Sequence, residues 1–378
     1  MKNKLTYAQV GDNYYTKDPI KKLAQTAARQ TAINLKKAGF PEISDTRGES
    51  AFVWSLDTER SRSARDKHTP LMATVVEGLG TKNLVADSMR KVTGKTYYDV
   101  IGYDTVATII NDLVTVGARP LVIHAYWAIE DNSWLQDEER MKDFIAGWKS
   151  ACDFSGATWG GGETPTLKGV IKPYTVDLGG SAIGIINPPN RLITDKKLKA
   201  GDRILLLKSN GINCNGISLA RAVSKKLPKG YATKLSNGRF YGETVSTKTN
   251  IYAKLVQDLL DAKIDIHYIS NITGHGLRKI MRARQNYTYI IEKIFDPQEV
   301  FLFIQKHAGI SDFEMYQTFN MGQDYAIFIS PADVKKAQSI VKKNGFSALD
   351  AGYVKFGPRQ VIIKPKKLTF KSETLNLR

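Results

Sequence analysis

The run Leu71-Met72-Ala73-Thr74-Val75-Val76, followed directly by Glu77-Gly78-Leu79-Gly80-Thr81-Lys82, sets the reading of the chain. A short apolar, β-branched run with turn formers close behind it predicts a buried strand rather than a helix too short to stand alone. The strand opens into a glycine loop. Gly78 and Gly80 permit positive φ and close backbone approach, Lys82 supplies a cation and Glu77 a hard oxygen. Such a set suits a nucleotide's phosphates and their metal, although a plain turn after a strand uses the same residues.

Beyond the loop, the spacing from Gly102 to Gly117 predicts a helix. Val106, Ile109, Ile110, Leu113, Val114 and Val116 form one side, and Asp104, Thr108, Asn111, Asp112 and Thr115 gather on another. No lysine or arginine within this helix neutralises Asp104 and Asp112, so the stripe calls for a bound cation or a tertiary partner, unless it is a solvated face. The two carboxylates stand roughly 12 Å apart along a helix axis, too far to share one metal. They therefore serve different metals or different parts of a polyphosphate.

The 378 residues, 42% of them hydrophobic, fit a globular protein of two or three domains. No apolar run approaches the ~20 residues that span a bilayer, and the polar start has no signal-peptide core, so a cytoplasmic enzyme with no membrane partner is expected. Cys152 and Cys214 make neither a disulfide framework nor a zinc pattern, and the five histidines show no paired ligand spacing. The net charge of +18 invites nucleic acid as a partner. The basic residues are scattered, however, as at Arg60, Arg62 and Arg65, Arg278 to Arg284, and Lys364 to Lys367, with no aromatic motif between them. Solvated faces that draw in anionic nucleotides are the expected use, and nucleic acid is not.

Residues 1–50 read as an N-terminal arm and a helix from about Pro19 to Ala38. Residues 51–187 read as a nucleotide- and metal-binding α+β domain, with strands at 51–56, 71–76, 121–130 and 174–186 and a helix at 137–155. Within it, Gly160-Gly161-Gly162-Glu163-Thr164 reads as a second glycine turn holding one carboxylate. Asn187-Pro188-Pro189-Asn190 marks a boundary, and residues 188–365 read as a second α+β domain with a mixed sheet, ahead of a basic tail at 366–378. There, Ser209-Asn210-Gly211-Ile212-Asn213-Cys214-Asn215-Gly216 precedes the helix 217–225 and suits an anion at its N-terminus or a simple cap. Asn271-Ile272-Thr273-Gly274-His275-Gly276 forms another glycine loop before a basic helix. Repeated glycine loops place function between the two α+β halves.

The segments EGLGTK, IINDLVTVGARPL, GGETPTLKG, SNGINCNGISL, NITGHGL and EMYQTFNMG occur in the order and at about the spacing of the aminoimidazole ribonucleotide synthetases, also called phosphoribosylformylglycinamidine cyclo-ligases. The chain resembles that family from roughly Tyr7 to Ile362. The resemblance implies a cytosolic homodimer whose N-terminal sheets join into a barrel. It also implies use of ATP and Mg2+ to close the imidazole ring of a ribonucleotide substrate in purine biosynthesis. By the same carry-over, Glu77, Asp104 and Asp112 hold metal, and Lys82, Thr81, Asn111 and the Gly78 and Gly80 backbone hold ATP. Glu163 orients metal or substrate, and Ser209, Gly211, Asn213, Asn215 and Gly216 line the substrate side. Lys82, Asp112, Glu163 and His275 are the catalytic candidates, His275 as the titratable base.

Some positions depart from the family's pattern. Glu77 replaces its aspartate, Ala125 stands where it has an aspartate, Asn213 where it has a histidine, and His275 and Asp324 where it has glycines. A related ATP-dependent enzyme acting on another amide or amidine, or a non-catalytic nucleotide-binding homologue, are the alternatives these departures leave open.

Overall fold

In the computed structural model, which describes residues 5–6, 8–10, 14–56 and 69–375, the strand that opens the reading runs two residues further than its apolar stretch. Two N-terminal helices, α1 (Tyr14–Gln30) and the short α2 (Ala32–Lys37), lead into strands β1 (Phe52–Ser55) and β2 (Leu71–Gly78). Helices α3 (Asn83–Thr93) and α4 (Tyr98–Leu113) follow, then β3 (Arg119–Ile129), α5 (Glu138–Ser155), β4 (Thr158–Glu163) and β5 (Val176–Ile186). These strands form one five-stranded mixed sheet in the order β1-β2-β5-β3-β4. Leu71, Ala73 and Val75 face inward on β2 while Val76 is exposed, the alternation expected of a sheet covered on one face.

The covering layer is α4, packed on β2 and β5, with α5 along its outer side. Two glycines set how closely these helices approach. A Cβ on Gly147 would lie 2.0 Å from the Asp99 carbonyl oxygen, and one on Gly102 would lie 2.3 Å from that of Phe144. Gly147→Ala is expected to force the helices apart and to cost about 1–3 kcal/mol, read as a lower urea midpoint at unchanged slope.

The second half begins after Asn187-Pro188. It contains β6 (Arg203–Lys208), α6 (Ile217–Ser224), α7 (Tyr241–Val245), α8 (Ala253–Asp261), β7 (Ile266–Asn271) and β8 (Tyr287–Ile291). The chain ends with α9 (Glu299–Ala308), α10 (Asp312–Thr318), β9 (Gln323–Ile329), α11 (Val334–Lys343), β10 (Ala348–Phe356), β11 (Gln360–Ile363) and β12 (Leu368–Lys371). A seven-stranded sheet results, ordered β12-β11-β8-β10-β6-β9-β7, antiparallel except between β8 and β11. Both faces are covered. Leu205 and Leu207 of β6 join a core with α8, α11 and the first sheet's helices, whereas Ile204 and Leu206 join one with α6, α7, α9 and α10. The hydrophobic core of the first half is therefore continuous with one face of the second sheet.

The α+β architecture with two mixed sheets is as the sequence predicts. Several local readings change. Gly160–Glu163 is an edge strand paired with β3, not a turn, because glycines with no side chains let it lie against Ala125 and Val122. The stretch expected to be a basic tail supplies β12, anchored by the buried Phe370. The segment after Gly276 is a 3-10 helix (Gly276–Arg282) rather than an α-helix. The five-stranded sheet is open within one chain, with β1 and β4 at its edges. The charged segment containing Arg60, Arg62 and Arg65 lies outside the described residues.

Candidate functional site

Nearly every residue of α4 is buried, so its acidic stripe is not a solvated face. The stripe meets the extended segment 247–252 that leads into α8. Lys82 at the start of α3 places Nζ 2.5 Å from Asp104 Oδ2 and donates to the Thr247 carbonyl at 2.8 Å. Asp104 Oδ1 accepts from the Thr249 backbone N–H at 2.8 Å. About two turns further, Asn111 Nδ2 donates to the Asn250 carbonyl at 2.7 Å and its Oδ1 accepts from the Tyr252 N–H at 3.0 Å. Side chains here bind a strand-like backbone much as a neighbouring strand would. Lys82 and Asp104, both with no exposed surface, thus meet each other and the second half rather than standing open to a ligand. No sequence signal distinguishes these uses, since an acidic stripe looks alike whether it holds a metal or another segment.

Asp112 lies at the far end of α4 and keeps different company. Its Oδ1 accepts from Asn271 Nδ2 at 2.6 Å, at the end of β7. Glu77 at the end of β2 shares this corner: burial and the neighbouring Asp112 push its carboxyl up to about 7, against the pull of Lys279, Arg282 and Lys21. Burial pushes the Lys279 ammonium down, although Asp112 and Glu77 pull it up, and the ammonium donates to Thr273 Oγ1. A buried carboxyl whose proton affinity is raised beside a second carboxylate is suited to a hard cation, which would displace the proton. Asn271 and Thr273 of the 271–276 glycine loop and Lys279 of the basic run after it join this corner, although none carries a role of its own in the sequence. Among the described residues, no group of three or more His, Cys, Asp or Glu gathers at one point. A cation at this corner would therefore complete its shell with water or phosphate oxygens.

The glycine loop between these groups enters α3 directly. Gly80 has φ +72, a conformation glycine adopts without strain, and a Cβ there would sit 3.9 Å from the Cys214 carbonyl. The 77–82 and 209–216 loops are accordingly neighbours. Thr81 caps the turn, its carbonyl accepting from the Leu84 N–H at 3.3 Å.

On the substrate side, Ser209 is buried, with Oγ 3.3 Å from both Gln298 Oε1 and Asn320 Oδ1. Asn320 Nδ2 donates to the Gly211 carbonyl at 2.9 Å. Gly216 starts α6 at φ +74, and a Cβ there would collide with the Phe319 ring. Asn215 is half-buried in the same turn. Asn213, with φ 56, donates from Nδ2 to Asp324 Oδ1 at 2.8 Å. Two positions that depart from the family's pattern, in loops far apart in sequence, thus touch.

Glu163 is exposed at the end of β4, separated from β2 by β3 and β5, and is not brought to the Glu77–Asp112 corner. Ala125 of β3 pairs with Gly162 beside it. His275 is buried at φ 73, its Nε2 3.4 Å from Asp18 of α1. Burial pushes the imidazole down to about 4 despite Asp18, so it is neutral at pH 7 and a weak base. The lowered pKa makes a signed prediction. An unfolded histidine takes its proton near 6.5 and the folded one only near 4, so stability present above 6.5 is lost as pH falls through that window. His275→Gly, which suits the backbone, is expected to flatten the fall in melting temperature between pH 6.5 and 4.5. The variant-minus-native difference across that range is the measurement.

Comparison with known proteins agrees with this architecture. Residues 67–186 match the family described as AIR synthase related protein, N-terminal domain, and residues 199–364 match its C-terminal domain. The chain is thus a two-domain AIR synthase-related protein. Its fold also resembles HypE, a hydrogenase maturation protein solved with ATP (TM-score 0.53, 15% identity, 74% of this chain and 81% of that one). AaThiL complexed with AMPPCP and TMP is similar too (TM-score 0.56, 13% identity, 86% and 90%). In sequence the chain is 32% identical to phosphoribosylformylglycinamidine cyclo-ligase of Methanothermobacter thermautotrophicus, over 71% of this chain and 76% of that one. It is 33% identical to that of Methanocaldococcus jannaschii (74% and 76%) and 32% identical to that of Carboxydothermus hydrogenoformans (78% and 83%). It belongs to the phosphoribosylformylglycinamidine cyclo-ligase family and is an enzyme of that class.

Proposed function

We propose that the chain closes the imidazole ring of formylglycinamidine ribonucleotide, giving 5-aminoimidazole ribonucleotide with release of ADP and phosphate. ATP would phosphorylate the formyl amide oxygen, and the amidine nitrogen would then attack the activated carbon as phosphate departs. Such a reaction asks the protein mainly for positioning and charge neutralisation.

The observation that carries this reading is the corner where buried Glu77 and Asp112 face each other beside a glycine loop and Lys279. These carboxylates fit Mg2+, whose role when bound is to neutralise the transferring phosphoryl oxygens. Glu77 and Asp112 hold the cation, the Gly78, Gly80 and Thr81 backbone faces the phosphates, and Lys279 adds a positive charge. Lys82, Asp104 and Asn111 clamp the two halves so that this corner and the 209–216 loop keep their spacing. The neighbouring folds solved with ATP or AMPPCP support nucleotide binding. The open edges β1 and β4 support a homodimer joined through the first sheet, and Glu163 on β4 would act at or near that interface. We place the enzyme in the cytoplasm as a purine-biosynthetic catalyst.

The test is product formation by the purified chain with ATP, Mg2+ and formylglycinamidine ribonucleotide, following aminoimidazole ribonucleotide and ADP together. Matched release supports the reading, and ATP binding without product overturns it in favour of another amide or amidine substrate, which the Asn213 and Asp324 side chains favour. Absence of ATP binding overturns the enzymatic reading as a whole.

A further inference from the structure

The two glycine loops of the candidate site, 77–82 and 209–216, run into α3 and α6. Alongside those helices lies a cleft of about 720 Å³, bounded also by the start of α5, the 172–175 loop and Tyr231. That volume falls among those of small-molecule sites. The cleft shares no residue with the Glu77–Asp112 corner or with the clamp around Lys82 and Asp104. It does join the two halves, since α3 packs on α7 and on the 230–232 turn.

Its lining is mostly of one sign. Arg90, Lys91, Arg140 and Lys172 come from the first half, and Arg221 and Lys225 from the second, against the carboxylates of Asp87 and Asp137 alone. Asp137 is already taken by Arg90 and lies 3.9 Å from Arg140. Asp87 Oδ1 accepts from the Tyr98 hydroxyl at 2.9 Å, and burial raises its carboxyl above the ordinary value, although Tyr98 and the nearby cations pull it down. Lys91, Lys172 and Lys225 are exposed and have no ion-pair partner among the described residues. Cations from both halves thus line one hollow without a counter-charge to hold them.

Two features select the ligand. A concave patch of positive charge draws multivalent anions most strongly. A single phosphate, at roughly −2, leaves much of this excess unmatched, whereas a di- or triphosphate chain matches it and is shared between the two halves. The rim also carries rings. Tyr231 lies nearly parallel to Tyr241 with centroids 6.2 Å apart, and Tyr174 is 78% exposed at φ 59. A bulky residue rarely adopts left-handed backbone, and little packing holds this ring, so the strain marks a place where the side chain is used. A ring at the rim offers its face to a nucleoside base.

We infer that this cleft binds a polyphosphate, inorganic or carried by a nucleoside, which bridges Lys91 and Lys172 of the first half to Lys225 of the second. The protein supplies the counter-charge, so no divalent cation is needed. The inference does not rest on the ring-closure reading, in which the reacting ATP belongs with Mg2+ at the Glu77–Asp112 corner.

Calorimetric titration of the full chain in EDTA, which withholds the Mg2+ that the corner needs, is the test, with inorganic tripolyphosphate and ATP as separate probes. The native chain is expected to bind each at one site. A variant carrying Lys91→Gln, Lys172→Gln and Lys225→Gln is expected to weaken both at least about tenfold without lowering the melting temperature. A control carrying Lys335→Gln, Lys342→Gln and Lys371→Gln, exposed lysines outside the cleft, should stay within about twofold of the native chain. Equal affinity for the two probes assigns the phosphate chain alone, and tighter ATP, with the difference lost in Tyr174→Ala, assigns a nucleotide. Either upholds the site. No binding in EDTA, or full affinity in the cleft variant, overturns the inference. So does an equal loss in the control, which would show diffuse attraction to the net charge of +18. The product assay stands apart: absence of product removes the ring-closure reading and leaves this result unchanged.

Discussion

Asp112→Asn is expected to reduce kcat/KM by about 1,000-fold or more and to abolish Mg2+-dependent ATP binding, while the fold stays intact. The asparagine keeps an oxygen for the Asn271 Nδ2 donor, which the native Asp112 Oδ1 meets at 2.6 Å, so the link to β7 survives. What disappears is the negative charge that raises Glu77. Glu77 should then ionise more readily, yet a single carboxylate no longer holds the cation against water. Calorimetric titration of ATP with and without Mg2+, alongside turnover, is the check. Unaltered Mg2+ dependence in this variant would remove the corner from the mechanism and leave the clamp residues of α4 as the alternative.

Lys82→Ala carries the second large effect, and it falls on stability. The Lys82–Asp104 pair has no exposed surface, and removing the lysine leaves a carboxylate buried with the Thr249 N–H and the weak Cys214 thiol donor in place of a cation. Breaking a buried pair from one side costs about 3–5 kcal/mol, far more than an exposed pair. The Thr247 carbonyl loses its donor as well, so the clamp between α4 and segment 247–252 loosens. Urea unfolding should show a midpoint lowered at similar slope. Lys82→Met combined with Asp104→Asn removes both charges and keeps an acceptor for Thr249, and is expected to recover more than half of the loss. A double variant as unstable as Lys82→Ala would mean that the lysine acts through something other than its charge. Lost turnover in Lys82→Ala alone therefore says little about phosphate binding.

These two residues show how far the sequence could be read. The strand over 71–76, the glycine loop and the helix with its apolar and acidic sides are legible because period and turn chemistry are local; the two further strand residues and the burial of the acidic side are not. So was the separation of Asp104 from Asp112, since a helix's rise fixes it. Helix α3 is short and polar beside the more apolar helix after it, and glycine-rich Gly160–Glu163 carries the composition of a turn. The pairing that makes it a strand comes from β3, with Ala125 opposite Gly162, and no local pattern encodes that. His275 looked like a base by type alone; burial against Asp18 makes it a poor one.

The sequence by itself determined the α+β class, the order of most strands, the family and the loops around which its chemistry is arranged, because these depend on residue type and spacing along the chain. Only the tertiary structure decided which acidic groups remain for a cation. Asp104 and Asn111 are consumed by backbone groups of residues 249–252, and Asp112 is left beside Glu77. It also brought Asn213 and Asp324 together at 2.8 Å. A hydrogen-bond partner more than a hundred residues away is chosen by packing, and the energy that fixes it comes from burial, which no single stretch of sequence contains.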